Sequence, residues 1–197
     1  MKGIHMKKIF CLMLAVICAF SLFACGDKTD EYEPIRTAIA ATNPKTAQIN
    51  TKYESTEVTL EGSFKITYTG EKSATIDYKY EKLGKIGESY IVTVEDTATY
   101  NDGSYSVEDA EVNGTVALAE GGIALNLDVS KLESPSIENN TFKATVKSAN
   151  TESVLGVAVG SDVAITIVTN GTVVTSVTFT YKTASGANAT VTCTYTV

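Results

Sequence analysis

The chain has 197 residues, which is enough for one domain with a sizeable core. Apolar residues make up 44% and charged residues 20% of it, and this composition is too apolar for a disordered protein. The 16 basic and 23 acidic residues give a net charge of −7, without the basic patch that binding to nucleic-acid phosphates requires. We therefore expect a folded, acidic protein that does not bind nucleic acid.

The first 24 residues have the organisation of a secretory signal. Lys7 and Lys8 precede a stretch from Ile9 to Phe23 that is almost wholly apolar, and a small residue, Ala24, follows. The apolar stretch is shorter than the roughly 20 residues that a membrane span needs. Residues 1–24 are therefore predicted to be a cleaved signal peptide, and an uncleaved signal anchor is the alternative.

The segment Leu22-Phe23-Ala24-Cys25 resembles the lipobox of bacterial lipoproteins. Phe23 departs from the pattern, since that position usually holds a smaller residue. In this family the cysteine thiol receives a diacylglyceryl group and the signal is cut just before it. The resemblance implies a palmitate-type lipid anchor on Cys25 and a place on the extracytoplasmic face of the cell membrane, because two acyl chains give stable anchoring.

Cleavage before Cys25 removes 24 of the 197 residues and leaves 173. It removes three lysines and no acidic residue, so 13 basic residues face 23 acidic ones and the net charge becomes −10. Cys11 and Cys18 leave with the signal, so Cys193 is the only cysteine available in the domain and no internal disulfide is expected. Residues 25–33 are predicted to be the lipidated cysteine and a short tether, and residues 34–197 a single domain.

A short helix is predicted at the start of the domain. Pro34 suits the first helical position, and Ile35, Ala38 and Ile39 share one helical face. Asn43-Pro44 ends the pattern. A helix this short is unstable alone, so we expect it to dock on the rest of the domain.

After Pro44 the hydrophobic period changes to two, which is typical of strands with one buried and one solvated face. The clearest case covers residues 58–68, where apolar residues occupy the even positions. Similar alternation covers residues 49–53, 74–80, 90–100, 123–130, 141–147, 163–169, 173–181 and 189–197. We predict a mainly β fold, in which one long antiparallel sheet curves into a half-barrel with one or two short helices. A β-sandwich is the alternative.

Turn signals separate several of these segments. Asn101-Asp102-Gly103, Asn113-Gly114 and Asn170-Gly171 predict tight turns, and the first of these is favoured as a hairpin over a calcium loop because the full EF-hand spacing is missing. A loop containing Pro135 is predicted for residues 131–140. Residues 150–160 fit either a capped helical turn or a loop.

The inventory of catalytic groups is small. The only histidine, His5, lies in the predicted signal, so the mature chain lacks a Ser-His or Cys-His pair and the usual zinc ligands. Arg36 is the only arginine, and the phosphate-binding and dinucleotide-binding motifs are missing. We expect no enzymatic activity, no metal and no cofactor. A carboxylate pair for glycoside hydrolysis is the alternative, with Glu95-Asp96 and Glu108-Asp109-Glu111 as candidates.

The order of lipobox, acidic tether, helix and long alternating strands resembles the lipoprotein carriers of the LolA and LppX/LprG type. The strands that carry the resemblance cover residues 60–68, 74–80 and 171–179. The resemblance implies a curved half-barrel with helices across its concave face, in which some members bind lipid.

A large apolar face with little helical cover favours a cavity for a lipid or another apolar ligand. The residues expected to line that cavity are Phe64, Ile66, Tyr68, Ile76, Tyr78, Tyr80, Phe179 and Tyr195. The alternative function is a surface interaction module that binds an envelope protein or a glycan through its threonine-rich face or its loops. An open apolar concavity favours the first function, and a packed core favours the second.

Overall fold

A computed structural model describes residues 30–70, 73–85, 90–102, 104–106, 110–125 and 127–197. In these residues ten antiparallel strands form one sheet, which does not close on itself. The mainly β, curved-sheet prediction is confirmed. The strands are β1 (Thr46–Glu54), β2 (Val58–Gly70), β3 (Ser73–Gly84), β4 (Tyr90–Asn101), β5 (Ser104–Tyr105), β6 (Leu132–Glu138), β7 (Thr141–Val146), β8 (Val163–Thr169), β9 (Val174–Lys182) and β10 (Asn188–Thr196).

The sheet consists of two meanders joined at its centre. Its strand order is β5-β4-β3-β2-β1-β10-β9-β8-β7-β6, so the first and last strands of the chain pair with each other. The chain must therefore pass from the β5 edge to the β6 edge. A helix, α2 (Ala110–Ile123), lies in this connection and contacts the central strands β1, β9 and β10.

Two further α-helices lie within the described residues: α1 (Glu33–Ala41) and α3 (Thr151–Leu155). The predicted helix at Pro34 is confirmed as α1, and Ile35, Ala38 and Ile39 are its buried residues. The hydroxyl of Thr42 donates to the carbonyl of Ala38 at 2.7 Å and accepts from the backbone N–H of Val174 at 2.8 Å. These bonds fix the end of α1 to the start of β9.

Apolar side chains meet in rows that cross the sheet. One continuous row follows the strand register and consists of Phe142, Ile167, Val177, Cys193, Ile49, Phe64 and Tyr78. All seven side chains are buried. The neighbouring row contains a glycine, Gly62, where a Cβ would lie only 2.8 Å from the Phe64 ring. The missing side chain leaves room for the ring of Phe64, which stacks on Tyr78 at a centroid distance of 6.2 Å.

The connection between the two meanders differs from the prediction. Asn113-Gly114 lies inside α2, so the predicted turn there was wrong, as was the strand over residues 123–130. Thr115, Val116, Leu118, Ala119 and Gly122 are buried at helical spacing. Burial of this face on the sheet outweighs the local turn preference of Asn-Gly.

Residues 131–140 also differ from the prediction, because most of the expected loop forms strand β6 at the edge of the sheet. The register of β6 shifts between Glu133 and Ser136, around Pro135, and Ser134 has a φ of 49°. A proline that cannot donate to a strand ladder is tolerated at such an edge bulge. Residues 150–160, for which the sequence fits either a capped helical turn or a loop, contain α3. This helix ends at Gly156, which has a φ of 71°.

Candidate functional site: a tyrosine-lined cleft beside the end of helix α2

The residues expected to line an apolar cavity have different environments in the structure. Phe64, Ile66, Ile76 and Phe179 are fully buried in the core, where apolar side chains of α1 and α2 are also buried. Tyr78 and Tyr195 are buried as well, whereas Tyr68 and Tyr80 are half-buried. Tyr68 lines an open cleft.

Tyr195 holds α2 on the centre of the sheet. Its hydroxyl donates to the backbone carbonyl of Ala119 at 2.7 Å. A Cβ on Gly122 would lie 2.8 Å from that hydroxyl and 3.2 Å from the ring of Phe179, so glycine allows the helix to approach closely. Burial raises the pKa of Tyr195, so its hydroxyl stays protonated and able to donate.

The cleft has a volume of about 760 Å³ and lies at the end of the sheet where β1 begins and β2 ends. Its walls are formed by the α1–β1 connection, the end of β2, one residue of β4, and the last turn of α2 with the residue after it. The lining residues are Thr42, Asn43, Pro44, Lys45, Tyr68, Thr69, Gly70, Tyr100, Glu120 and Ala124.

Glu120 supplies the carboxylate of the cleft from the last turn of α2. Its side chain is half-buried, and it makes no ion pair or side-chain hydrogen bond with any described residue. Burial raises the pKa of this carboxyl above its usual value of 4.5. No basic residue occupies the last turn of α2, as far as its described residues extend, to offset the negative end of the helix dipole.

Three tyrosines lie near this carboxylate: Tyr68 and Tyr100 line the same cleft, and the pKa of Tyr105 responds to the charge of Glu120. The hydroxyl of Tyr68 is buried and has no hydrogen-bond partner among the described residues. Burial raises the pKa of Tyr68, and the nearby charge of Glu120 raises it further. The same two causes raise the pKa of Tyr105 to about 12, and the ring of Tyr105 lies 5.0 Å from that of Tyr100, centroid to centroid.

Lys45 is the cation at the rim of the cleft. Its backbone is held in the sheet, because its N–H donates to the carbonyl of Thr196 at 2.7 Å and its carbonyl accepts from the N–H of Tyr68 at 3.0 Å. Its side chain is exposed and makes no direct ion pair with the described residues. Lys45 and Glu120 therefore line the same cleft without forming a direct ion pair.

A smaller recess of about 390 Å³ lies at the opposite end of the same strands, between Tyr53, Leu60, Lys82 and Ala187. The hydroxyls of Tyr53 and Tyr181 are 3.5 Å apart close to it. Glu57 is the carboxylate of this recess. Like the cleft, which is lined by Glu120 and Lys45, it combines a carboxylate with a lysine.

Of the predicted carboxylate pairs, Glu95-Asp96 lies within the described residues and does not line the cleft. Glu95 forms an ion pair with Lys79 at 3.5 Å, and both side chains are exposed. Glu108, Asp109 and the side chain of Glu111 lie outside the described residues. Within the described part of the chain, no group of three or more His, Cys, Asp or Glu residues is arranged to hold a metal.

Sequence reasoning missed Glu120 and Tyr100. The apolar residues before Glu120 have helical spacing, and this spacing could have placed Glu120 on a helix. The Asn113-Gly114 turn signal instead favoured a turn in this segment. Tyr100 was assigned to a strand, yet only its place beside the ends of β2 and α2 gives it a role in the cleft.

No protein-family model matches this chain, and no curated protein does. Among solved structures, a redesigned β-barrel bound to DFHBI shares 12% identity, with 80% of this chain and 98% of that one covered and a TM-score of 0.24. The dehydratase CurK, as its H996F inactive mutant, shares 7% identity over 84% of this chain and 82% of its own, with a TM-score of 0.21. Within the described residues no helix has the length and apolarity to span a membrane.

Proposed function

We propose that this protein is a membrane-anchored extracytoplasmic lipoprotein that binds a ligand without chemical turnover in the cleft formed by Tyr68, Tyr100 and Glu120. One observation carries the proposal: the cleft contains a desolvated carboxylate and a buried hydroxyl that have no partner among the described residues. A buried hydroxyl without a hydrogen-bond partner, such as that of Tyr68, costs about 1–3 kcal/mol. A ligand that meets both groups recovers this cost.

The packing of the domain supports the cleft as the place of binding. Phe64, Ile66, Ile76 and Phe179 are fully buried in the core, so they form a rigid base instead of a surface for an acyl chain. Tyr68 lies at the border between this core and the cleft. A lipid would therefore present its head group to the cleft, with its acyl chains outside.

Anchoring depends on Cys25, which lies outside the described residues. Replacing it, as Cys25→Ser, removes the thiol that would carry the diacylglyceryl group. We expect the wild-type protein in the membrane fraction and the variant in the soluble extracytoplasmic fraction. Retention of Cys25→Ser in the membrane would favour the uncleaved signal anchor.

The binding proposal is tested by native mass spectrometry of the full-length protein purified from membranes. We expect a co-purified ligand on the wild-type protein, less of it on Tyr68→Phe and none on Glu120→Gln. The matched control is Glu138→Gln, which makes the same change at an exposed position on β6. A bare mass for the wild-type protein, or an adduct that all variants keep equally, would count against the cleft.

A surface interaction module is the second candidate, and both the packed core and the free edge of the sheet favour it. Within the described residues, β5 pairs with β4 at Tyr100 and Asn101 and Ser106 bonds to Thr99, so most of the β4 edge that faces away from β3 is unpaired. Tyr90 is 50% exposed and Ile91 68%, which leaves apolar side chains along this edge. Exposed edge strands accept an extended peptide as an additional strand.

A further inference from the structure

The cleft contains a carboxylate, that of Glu120, which forms no direct ion pair with a described cation. Glu120 contributes a carboxylate, and the carbonyl end of α2 adds partial negative charge because Glu120 and Ala124 place the helix end in the cleft wall. Lys45 lies at the rim, is exposed to solvent and makes no direct ion pair with the described residues, so its charge offsets that of Glu120 only in part. A positively charged ligand is therefore complementary to the cleft.

Tyrosine rings line the cleft together with the same carboxylate. Tyr68 and Tyr100 line the cleft, and Tyr105 packs against Tyr100 with an interplanar angle of 46°. The faces of neutral tyrosine rings attract cations, and this attraction is strongest where water is excluded. Glu120 and the rings together resemble the combination that recognises ammonium groups.

We propose that the cleft binds an organic ammonium ion, either a free amine or the ammonium head group of a lipid. The Glu120 carboxylate pairs with its charge and the rings of Tyr68 and Tyr100 contact its alkyl groups. This inference rests on the proposed ligand-binding function and names the ligand class. A neutral ligand such as a sugar would satisfy hydrogen-bonding groups but would leave the charge of Glu120 unpaired.

The overall charge of the chain favours the same class of ligand. The net charge is −7, and it becomes −10 if the predicted signal is removed. An acidic protein attracts cations over distances of about a Debye length, roughly 8 Å at physiological ionic strength. Lys45 opposes this attraction at the rim, so its replacement by glutamine should tighten binding.

The proposal is tested by isothermal titration calorimetry with choline and with 3,3-dimethylbutan-1-ol, its neutral isostere. The full-length protein is kept in a maltoside detergent and a phosphate buffer, so that no other amine competes. We expect choline to bind at least about tenfold more tightly than the neutral isostere, since a charge-assisted contact is worth more than a neutral one. Choline affinity should fall as the pH is lowered and Glu120 becomes protonated.

Variants assign the binding to the cleft. Glu120→Gln should weaken choline binding about tenfold and remove its pH dependence, whereas the control Glu138→Gln should change neither. Tyr100→Leu should weaken binding by about two- to fivefold. Lys45→Gln should strengthen it by a smaller factor, about two- to threefold.

The outcomes separate this inference from the function on which it rests. Two results would overturn the ammonium assignment and leave a ligand-binding cleft. The first is equal binding of choline and its neutral isostere. The second is a protein that does not bind choline but carries a co-purified adduct that Glu120→Gln removes. No choline binding and no adduct overturns both. If choline binds, tighter binding of dihexanoylphosphatidylcholine identifies a lipid head group, and weaker binding identifies a free amine.

Discussion

The hydroxyl of Tyr195 donates to the backbone carbonyl of Ala119 at 2.7 Å, and this buried contact joins the last strand of the sheet to α2. The two residues are 76 positions apart in sequence. Because Glu120 is the next residue along the helix, the contact also fixes one wall of the cleft. The stability of the domain and the geometry of the cleft are therefore linked.

Tyr195→Phe should destabilise the protein by about 1–2 kcal/mol, because it removes one buried hydrogen bond and keeps the ring. Urea unfolding followed by circular dichroism measures the change. Tyr90→Phe removes a hydroxyl from a half-exposed ring and serves as the control. Equal midpoints for the two variants would contradict a structural role for the Tyr195 hydroxyl.

Two of the three glycines of α2, Gly114 and Gly122, should respond in opposite directions to alanine. At Gly122 a Cβ would lie 2.8 Å from the Tyr195 hydroxyl and 3.3 Å from Cβ of Val177, so Gly122→Ala should destabilise by about 1–3 kcal/mol. At Gly114 a Cβ has no neighbour within 4 Å among the described residues, so Gly114→Ala should stabilise by up to about 1 kcal/mol through helix propensity. Thermal unfolding of both variants tests the close approach of α2 to the sheet. Stabilisation by both substitutions would show that α2 does not pack as described.

Glu120 should make the protein less stable as the pH rises. Its pKa is raised in the folded state by burial, so between the unfolded and folded pKa values the native state binds more protons than the unfolded state. The stability that this group contributes is present below pH 4.5 and is lost as the pH rises through the folded pKa. Glu120→Gln should therefore gain stability relative to the wild type at pH 7 and not at pH 4, as urea midpoints at the two pH values would show. A gain of the same size at both pH values would argue against desolvation of the carboxylate.

Cys193 should be chemically inert in the folded protein. The thiol is buried between strands, and burial raises its pKa to about 12, so almost no thiolate forms at pH 8. N-ethylmaleimide labelling followed by peptide mass mapping should modify Cys193 only after the protein is unfolded. Labelling of native and unfolded protein at similar rates would mean that β10 opens readily.

The exposed edge of β4 should control self-association. Ile91 is 68% exposed, so Ile91→Lys should change the unfolding midpoint little and should raise the concentration at which light scattering detects aggregates. Thr93→Lys, which adds the same charge to the same strand without removing an apolar side chain, is the matched control. If both variants raise the concentration at which aggregates appear by the same amount, the added charge alone is responsible and the apolar edge is not a contact surface.

The strands could be predicted because their pattern is local. The alternation over residues 58–68 depends only on which face of β2 is buried, and the structure keeps that pattern. Pro34 likewise located α1 through a rule that concerns a single helical position.

The cleft could not be predicted because it depends on tertiary contacts. Asn113-Gly114 has the chemistry of a turn, and only the burial of Val116 and Ala119 against the sheet makes the segment helical. Glu120 is brought beside Tyr68 by this docking and by the Tyr195 hydrogen bond, which no sequence pattern encodes. For the same reason the sequence predicts that Phe64 and Phe179 line a ligand cavity. In the structure both are buried, and α2 packs against the sheet at the place where the ligand was expected.

The most direct test is a carbon-13 NMR titration of the Glu120 side-chain carboxyl, assigned with the Glu120→Gln variant and recorded with and without choline. We predict that the pKa of Glu120 lies above 4.5 in the protein alone. It should be lower when choline is saturating, because the bound ammonium stabilises the carboxylate. A pKa that choline leaves unchanged would contradict this prediction.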